Sequence, residues 1–414
     1  MRAYLDNNAT TRLAPEALSA MTPFLTEIYL NPSSTAGELL GAARPLADAR
    51  NSLARLLGAP ELGHCFVLTS GASEANSWAV HAASFGRPPG HMVSTAIEHP
   101  SMISALEACR AAGWAVDLAR PEQSGRVSPE AMAVLVRPET SFVSVQYANN
   151  ETGVIQPVAE ISAVIRDRCP QALFHVDATQ ALGRIPLSLD SALGMADLVS
   201  LSAHKFHGPK GIGALFVADC VRLSPLIHGG QEDGRRGGTP DVAAAAGLAA
   251  AASIALERLP RMEAVSRKRD RFEHKLAQQF GDVRILGSDA DRLPNTSAFV
   301  LPGIDATAIV EALASRGVVI ATGSACTSGS PSPSHVLLAM GVGYDEAKSA
   351  LRVSLSHETN DEELDLALGE LVRVCGGKPP ATEGSSGSSG AQGTPASNGR
   401  PSEARSSPAA AEIG

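Results

Sequence analysis

LFHVDATQALGRIPLSLDSALGMADLVSLSAHK, residues 173–205, contains two apolar runs, each ending in a cluster of polar groups. The first, LFHVDATQ (173–180), closes on Asp177 and Gln180; the second, DLVSLSAHK (197–205), closes on Ser202, His204 and Lys205. Short continuous apolar runs of this kind are buried strands of a sheet covered on both faces. Around them lie CFVLTSG (65–71), HMVSTAIEH (91–99), SFVSVQYANN (141–150) and GALFV (213–217), separated by helix-length segments. The alternation predicts an α/β fold with a mainly parallel sheet. Ser70 to Glu74, Glu98 with His99, and Asn149 with Asn150 end their runs in the same way. Open parallel sheets bind ligands beyond the carboxyl ends of their strands. Five strands therefore deliver polar groups to one edge.

The chain has 414 residues, enough for one large domain and a smaller one. Aromatics make up only 4%, so the core is built mainly from Ala, Leu, Val and Ile. The net charge is −9 and no run of Lys or Arg stands out, which argues against nucleic acid or an anionic membrane as partner. The six cysteines are dispersed, with none in a Cys-x-x-Cys pair, so neither a metal ligand set nor a disulfide scaffold is visible and no metal is expected. The opening MRAYLDNN has no apolar signal region, and the Ala-rich run after Asp241 reads as a buried helix rather than a membrane span. A cytoplasmic location is the expectation. Thr359 with Glu362 suggests a capping box for a last helix whose Leu364, Leu368, Leu371 and Cys375 share a face and whose stop is Gly376. Residues 376–414 are Gly, Ser, Pro and Ala with scattered charges and are expected to be disordered, because they cannot bury enough apolar surface to offset ordering entropy.

The polar ends have specific chemistry open to them. Lys205 reads either as a solvated strand-end lysine or as a lysine that condenses with the aldehyde of pyridoxal phosphate. Asp177 reads as a helix N-cap or as the carboxylate partner of a pyridine nitrogen, with Gln180 in reach of the phenolic oxygen. The Ser70-Gly71-Ala72-Ser73-Glu74 turn offers backbone N–H groups of Ala72 and Ser73 to a phosphate, or is an ordinary capped helix start. His99 is a structural histidine or a ring-stacking proton carrier. Cys326 sits in TGSACTSGSP (322–331), a small and polar segment that suits an accessible nucleophile better than a core cysteine.

Read in order, YLDNNATT, SGASEAN, TAIEHPS, NNETGVIQP, HVDATQALG, LSAHKFHGPKGIGAL, RRGGT, TGSACTSGS and LRVSL make the chain recognisable: it resembles the class I, NifS/IscS-type cysteine desulfurases of the class V pyridoxal-phosphate aminotransferase superfamily. The resemblance implies fold type I, with a large domain over residues 14–255 built on a mainly parallel seven-stranded sheet. It also implies a smaller α+β domain from residues 1–13 and 256–375 that carries the cysteine loop. Carried over by motif, Lys205 holds the cofactor, His99 lies over its ring, and Asp177 and Gln180 meet the ring nitrogen and phenolic oxygen. Ser73, Ser202 and His204 hold the phosphate, joined by Thr239 from the other subunit of a homodimer. Asn31, Asn150 and Arg352 hold L-cysteine, and Cys326 accepts its sulfur for an iron–sulfur scaffold protein or another acceptor. Two segments depart from the family pattern: Thr35 to Leu40 replaces a His and a Gly-Arg, and Pro240-Asp241-Val242 stands where Glu-Asn-Val is usual. The rival expectations are another pyridoxal-phosphate reaction, such as selenocysteine lysis or transamination, and a non-catalytic sulfur carrier. The mobile thiol of Cys326 argues against a transaminase.

Overall fold

The computed structural model describes residues 2–323 and 333–376. Cys326 and the tail from residue 377 lie outside the described residues. All the apolar runs form strands, and they share one seven-stranded sheet. Its spatial order is Phe66–Thr69, Gly213–Val217, Leu198–Ser202, Leu173–Asp177, Thr140–Gln146, His91–Thr95 and Ala115–Ala119. Every pairing is parallel except the two made by Gly213–Val217. The edge strand Ala115–Ala119 gave no apolar run, because AVDLA pairs with a single strand and leaves Ala115 exposed and Asp117 and Leu118 half-buried.

Successive side chains point to opposite faces, and both faces are covered. Val143, Val145, Phe174, Val176 and Val199 face a core shared with the helices Arg44–Leu56, Val158–Arg168 and Val242–Arg258. Met92, Phe142, Leu198 and Leu215 face Trp78, Met102 and Leu106 of Ala72–Ser84 and Pro100–Ala111. A second sheet, Ala321–Thr322, Ala350–Ser354, Thr296–Val300 and Arg284–Ile285, is antiparallel. Its apolar face packs on Met262–Gln279, Ala306–Ser315 and Asp361–Cys375 through Phe272, Phe299, Leu313, Leu351 and Leu368.

The Ala-rich run forms Val242–Arg258, capped by Asp241, whose Oδ1 accepts from Ala244 N at 2.8 Å. The departure at Pro240-Asp241 thus supplies a strong N-cap. By length and composition the segment Val242–Gln279 could cross a membrane, but in this fold its most apolar window is 56% buried. Gly247 permits the close packing: a Cβ there would lie 2.7 Å from Met21 Sδ. The other departure, Thr35–Leu39, is a short helix capped by Ser34, and it leaves Leu39 and Leu40 exposed.

The capping box of the last helix is displaced by one residue from the sequence expectation. Asn360 is the N-cap and Glu363 its partner, at 2.8 and 3.0 Å. The hydroxyl of Thr359 instead accepts from Ser356 N at 2.9 Å, closing the preceding turn, so it is not available to the helix. Gly376 ends the helix at φ 75°, as its position suggests.

Asn8 joins the two sheets. It is 1% exposed, and every polar atom has a partner. Its N donates to Ser354 Oγ at 2.9 Å, and its Nδ2 donates to Asn150 O and Thr296 Oγ1, both at 3.0 Å. Its Oδ1 accepts from Asn295 Nδ2 at 3.0 Å, while its backbone carbonyl accepts from Lys205 Nζ at 2.6 Å and Gln180 Nε2 at 3.0 Å. Truncating the amide strands several buried donors and acceptors at once. Asn8→Ala is expected to lower stability by about 3 kcal/mol in urea unfolding. Ser19→Ala, which removes one exposed helix hydrogen bond, serves as the control and should change it by less than about 0.5 kcal/mol.

Candidate active site

The carboxyl ends of the parallel strands open onto a cavity of about 430 Å³. Ala72, Ser73, His99, Asn150, Asp177, Gln180, Ser202, His204 and Lys205 all line it. The structure therefore brings together residues that the sequence spreads over more than a hundred positions.

At one end lies an anion cradle. The helix Ala72–Ser84 starts at Gly71, which has φ 151° and offers no side-chain cap, so the first N–H groups of the helix are left for a ligand. Gly213 packs against this turn: a Cβ there would fall 2.7 Å from Gly71 Cα. Glu74 fixes the turn from below by accepting from Ser70 N at 2.7 Å and pairing with Arg236 at 3.0 Å. Burial alone would raise its carboxyl, but Arg236 and Ser70 outweigh that and hold it below the usual range. Lys210 lines the same cavity and adds positive charge. His204 bonds Thr10 Oγ1 through Nδ1 at 3.1 Å. Its pKa is pushed down to about 4 by burial and by Lys205, Lys210 and Arg184, so it is a neutral ligand.

Lys205 ends the single 3₁₀ turn Ala203–Lys205 that follows its strand. Its Nζ donates to Asn8 O and Ala9 O, at 2.6 and 2.9 Å, which fixes the amine at the cavity wall. Asp177 is 6% exposed; its Oδ2 accepts from Asn76 Nδ2 at 2.8 Å and its Oδ1 from Thr179 N at 3.0 Å. Asn76 also donates to Ser101 Oγ at 3.0 Å, and that hydroxyl meets His99 Nδ1 at 2.8 Å. Ser101 N donates to the same Nδ1 at 3.1 Å. Nδ1 is thus an acceptor, which assigns the proton of the neutral imidazole to Nε2. Burial first, then Lys205 and His335, lower the pKa of His99 against the opposing pull of Asp177. Gln180 is held from two sides, by Asn8 O and by Arg184, whose guanidinium bonds its Oε1.

Three expected residues stand elsewhere. Arg352 is 1% exposed and lies behind Asn150: its Nη2 pairs with Asp6 at 2.5 Å and its Nη1 donates to Asn150 O at 2.9 Å. Its Nε is buried with no hydrogen-bond partner among the described residues. Asn31 is exposed and caps its own turn by accepting from Ser33 N at 3.0 Å. Thr239 lines a neighbouring cavity of about 120 Å³ that shares Ser70 and Gly211 with the main one.

Sequence reasoning assigned no role to Asn8, Asn76, Ser101 or Arg184. Asn8, Asn76 and Ser101 stand inside the quoted motifs YLDNNATT, SGASEAN and TAIEHPS; Asn8 and Asn76 bond groups far along the chain, which no local pattern reveals, whereas Ser101 lies two residues from His99 and local spacing could have found it. It also left Glu98 unassigned. Glu98 is fully buried; its Oε1 accepts from Thr95 Oγ1 at 2.6 Å and Gln146 N at 2.9 Å. Burial pushes its pKa up to about 8, with Asp177 adding to the rise.

Known proteins share this fold and much of this sequence. The family model for aminotransferase class-V matches residues 3–367. A cysteine desulfurase of Cereibacter sphaeroides is 42% identical over 376 residues, covering 90% of this chain and 95% of that protein. A solved NifS-like protein superposes with a TM-score of 0.84 at 33% identity, covering 91% of this chain and all of that one. SspA in complex with cysteine superposes with a TM-score of 0.75 at 32% identity, over 85% of this chain and 98% of that one. With its sheet order, its cradle and Lys205 at the strand end, the chain belongs to the class-V aminotransferase family, among the NifS-like cysteine desulfurases.

Proposed function

We infer that the protein converts L-cysteine to L-alanine and takes the sulfur onto Cys326 as a persulfide. The observation that carries this is the convergence of Lys205, His99 and Asp177 on one cavity, in a chain 42% identical to a cysteine desulfurase. The cavity fits pyridoxal phosphate in size and in chemistry: an uncapped helix N-terminus and Ser73, Ser202 and neutral His204 for the phosphate, and a buried carboxylate, Asp177, for the ring nitrogen. When bound, pyridoxal phosphate supplies an electron sink that lets a proton leave the α-carbon of an amino acid.

The chain's own groups do the rest. Lys205 would hold the cofactor, and its amine, fixed at the cavity wall, is placed to carry the α-proton. His99 presents Nε2–H to the same space, with Nδ1 fixed by Ser101. Glu98, held neutral by burial, adds no second negative charge beside Asp177 at neutral pH. The sulfur step balances without an external oxidant. The Cβ–S bond of cysteine breaks, its electron pair stays with the carbon skeleton, which is protonated to alanine, and the Cys326 thiolate forms the new S–S bond. A reduced thiol is required at the start, which favours a reducing compartment such as the cytoplasm. The persulfide then passes to an iron–sulfur scaffold protein or another acceptor.

A homodimer is part of this proposal. Thr239 stands outside the cavity of its own chain, as a residue given across a subunit boundary would. Leu18, Leu25, Tyr29, Leu39 and Leu40, all within residues 18–40, are exposed large apolar side chains that a second subunit would cover.

Two outcomes follow. Cys326→Ala should keep cofactor binding, since no cradle residue is touched, yet lose alanine formation by about a thousandfold or more and carry no persulfide by mass spectrometry. Normal turnover in that variant would redirect the function to another pyridoxal-phosphate reaction. Glu98→Gln tests the buried acid. In the unfolded chain Glu98 ionises near pH 4.5, while in the fold it stays neutral until about pH 8. Its burial therefore costs nothing at low pH and progressively more as pH rises between those values, by about 1.4 kcal/mol per pH unit at most. The stability of Glu98→Gln relative to the wild type should increase from pH 5 to pH 8 in urea unfolding; a pH-independent difference would show that Glu98 is ionised in the fold.

A further inference from the structure

At the opposite end of the large sheet, three side chains of different chemistry converge. Cys65 closes the 3₁₀ helix Pro60–Cys65 just before the strand Phe66–Thr69, and Asp219 stands in the turn just after Gly213–Val217. These strands pair antiparallel, Phe66 opposite Phe216, so residues 154 positions apart leave the sheet side by side. The other end of the same pair, Thr69 opposite Gly213, borders the active-site cavity. The two locations are one strand length apart, about 13 Å.

His64 Nε2 lies 3.1 Å from Asp219 Oδ1, Cys65 Sγ lies 3.3 Å from the same oxygen, and Sγ and Nε2 are 3.4 Å apart. In a tetrahedral zinc site the bonds are about 2.0–2.1 Å to N or O and about 2.3 Å to S, which puts ligand atoms about 3.3 Å apart for N and O and about 3.5 Å apart where one is sulfur. The three observed distances fall within a few tenths of an ångström of that triangle. One nitrogen, one sulfur and one oxygen donor form the borderline ligand set that zinc accepts. The scaffold is stiff: Cys65 belongs to the core at 3% exposure, and the turn at Asp219 is closed by Val221 N donating to Ala218 O at 2.9 Å. The outer side is open, with the side chains of His64 and Asp219 63% and 73% exposed, so an ion can enter and a water can complete four-coordination.

We propose that His64, Cys65 and Asp219 form a binding site for a zinc-class divalent metal ion, separate from the catalytic cavity. A metal takes Cys65 as its thiolate, so the thiol proton leaves when the ion binds. A bound ion would tie the edge strand Phe66–Thr69 to its neighbour at the end remote from the cofactor.

The test uses the full-length holoprotein with zinc chloride as the probe, titrated against a chromogenic chelator, and zinc-edge X-ray absorption on the loaded protein. The expected result is one tight site with a single sulfur neighbour at about 2.3 Å. Asp219→Ala, an exposed change that leaves folding intact, should weaken binding at least about tenfold and abolish any rise in melting temperature on adding zinc. Cys65→Ser should remove the sulfur neighbour, and Cys326→Ala should keep it. The proposal is overturned if zinc binds Asp219→Ala and the wild type equally, or if the sulfur neighbour disappears with Cys326 rather than with Cys65. Either outcome would leave the three side chains as a hydrogen-bonded surface cluster.

Discussion

The site depends on a single buried asparagine. Asn8 comes from the N-terminal segment yet bonds Thr296 and Ser354 of the second sheet and Asn150, beyond a strand of the large one, and its carbonyl receives Lys205 and Gln180 together. A lysine amine has four flexible carbons behind it, and freezing it costs on the order of 1.5–2 kcal/mol in side-chain entropy. Two backbone carbonyls, of Asn8 and Ala9, give Nζ a defined position before any ligand arrives. Because the same residue bonds Asn150, Thr296, Asn295 and Ser354, the position of the amine is coupled to the joint between the sheets.

The electrostatics of the cavity follow from burial working on groups of opposite type. Desolvation disfavours charge, so it makes His204 and His99 poorer bases and Glu98 a weaker acid. The result is a cavity lined by neutral imidazoles, with a neutral carboxylic acid buried behind it, around Asp177, whose two oxygens are each held by a hydrogen bond. Such an arrangement separates roles among chemically similar residues: one carboxylate is left to act as a counter-charge while its neighbour is silenced. The chain Asp177–Asn76–Ser101–His99 also links that carboxylate to the imidazole through hydrogen bonds.

Much of this was legible in the sequence because strand ends are local. The runs ending in Asp177, Lys205, His99 and Ser70 announce a strand and its polar end within a few residues, and the structure places all of them on one cavity. What was illegible depends on pairing across the fold. Ala115–Ala119 is an edge strand, paired on one side only and partly exposed, with an aspartate in its middle that hides it among loops. Thr359 and Asn360 are both competent caps, and only the demand of Ser356 N for the Thr359 hydroxyl decides between them. The present partners of Asn31 and Arg352 are equally non-local or turn-made: Arg352 meets Asp6 and Asn150, and Asn31 caps its own turn. His64, Cys65 and Asp219 have no ligand spacing at all, since strand pairing alone brings them together.

The placement of Lys205 is the claim on which the rest turns, and borohydride reduction of the holoprotein followed by peptide mass mapping tests it most directly. Lys210 lines the same cavity and provides the internal comparison. The structure predicts a pyridoxyl group on Lys205, held where Asn8 and Ala9 fix its amine, and none on Lys210. A pyridoxyl group on Lys210, or on no lysine of this cavity, would contradict the account.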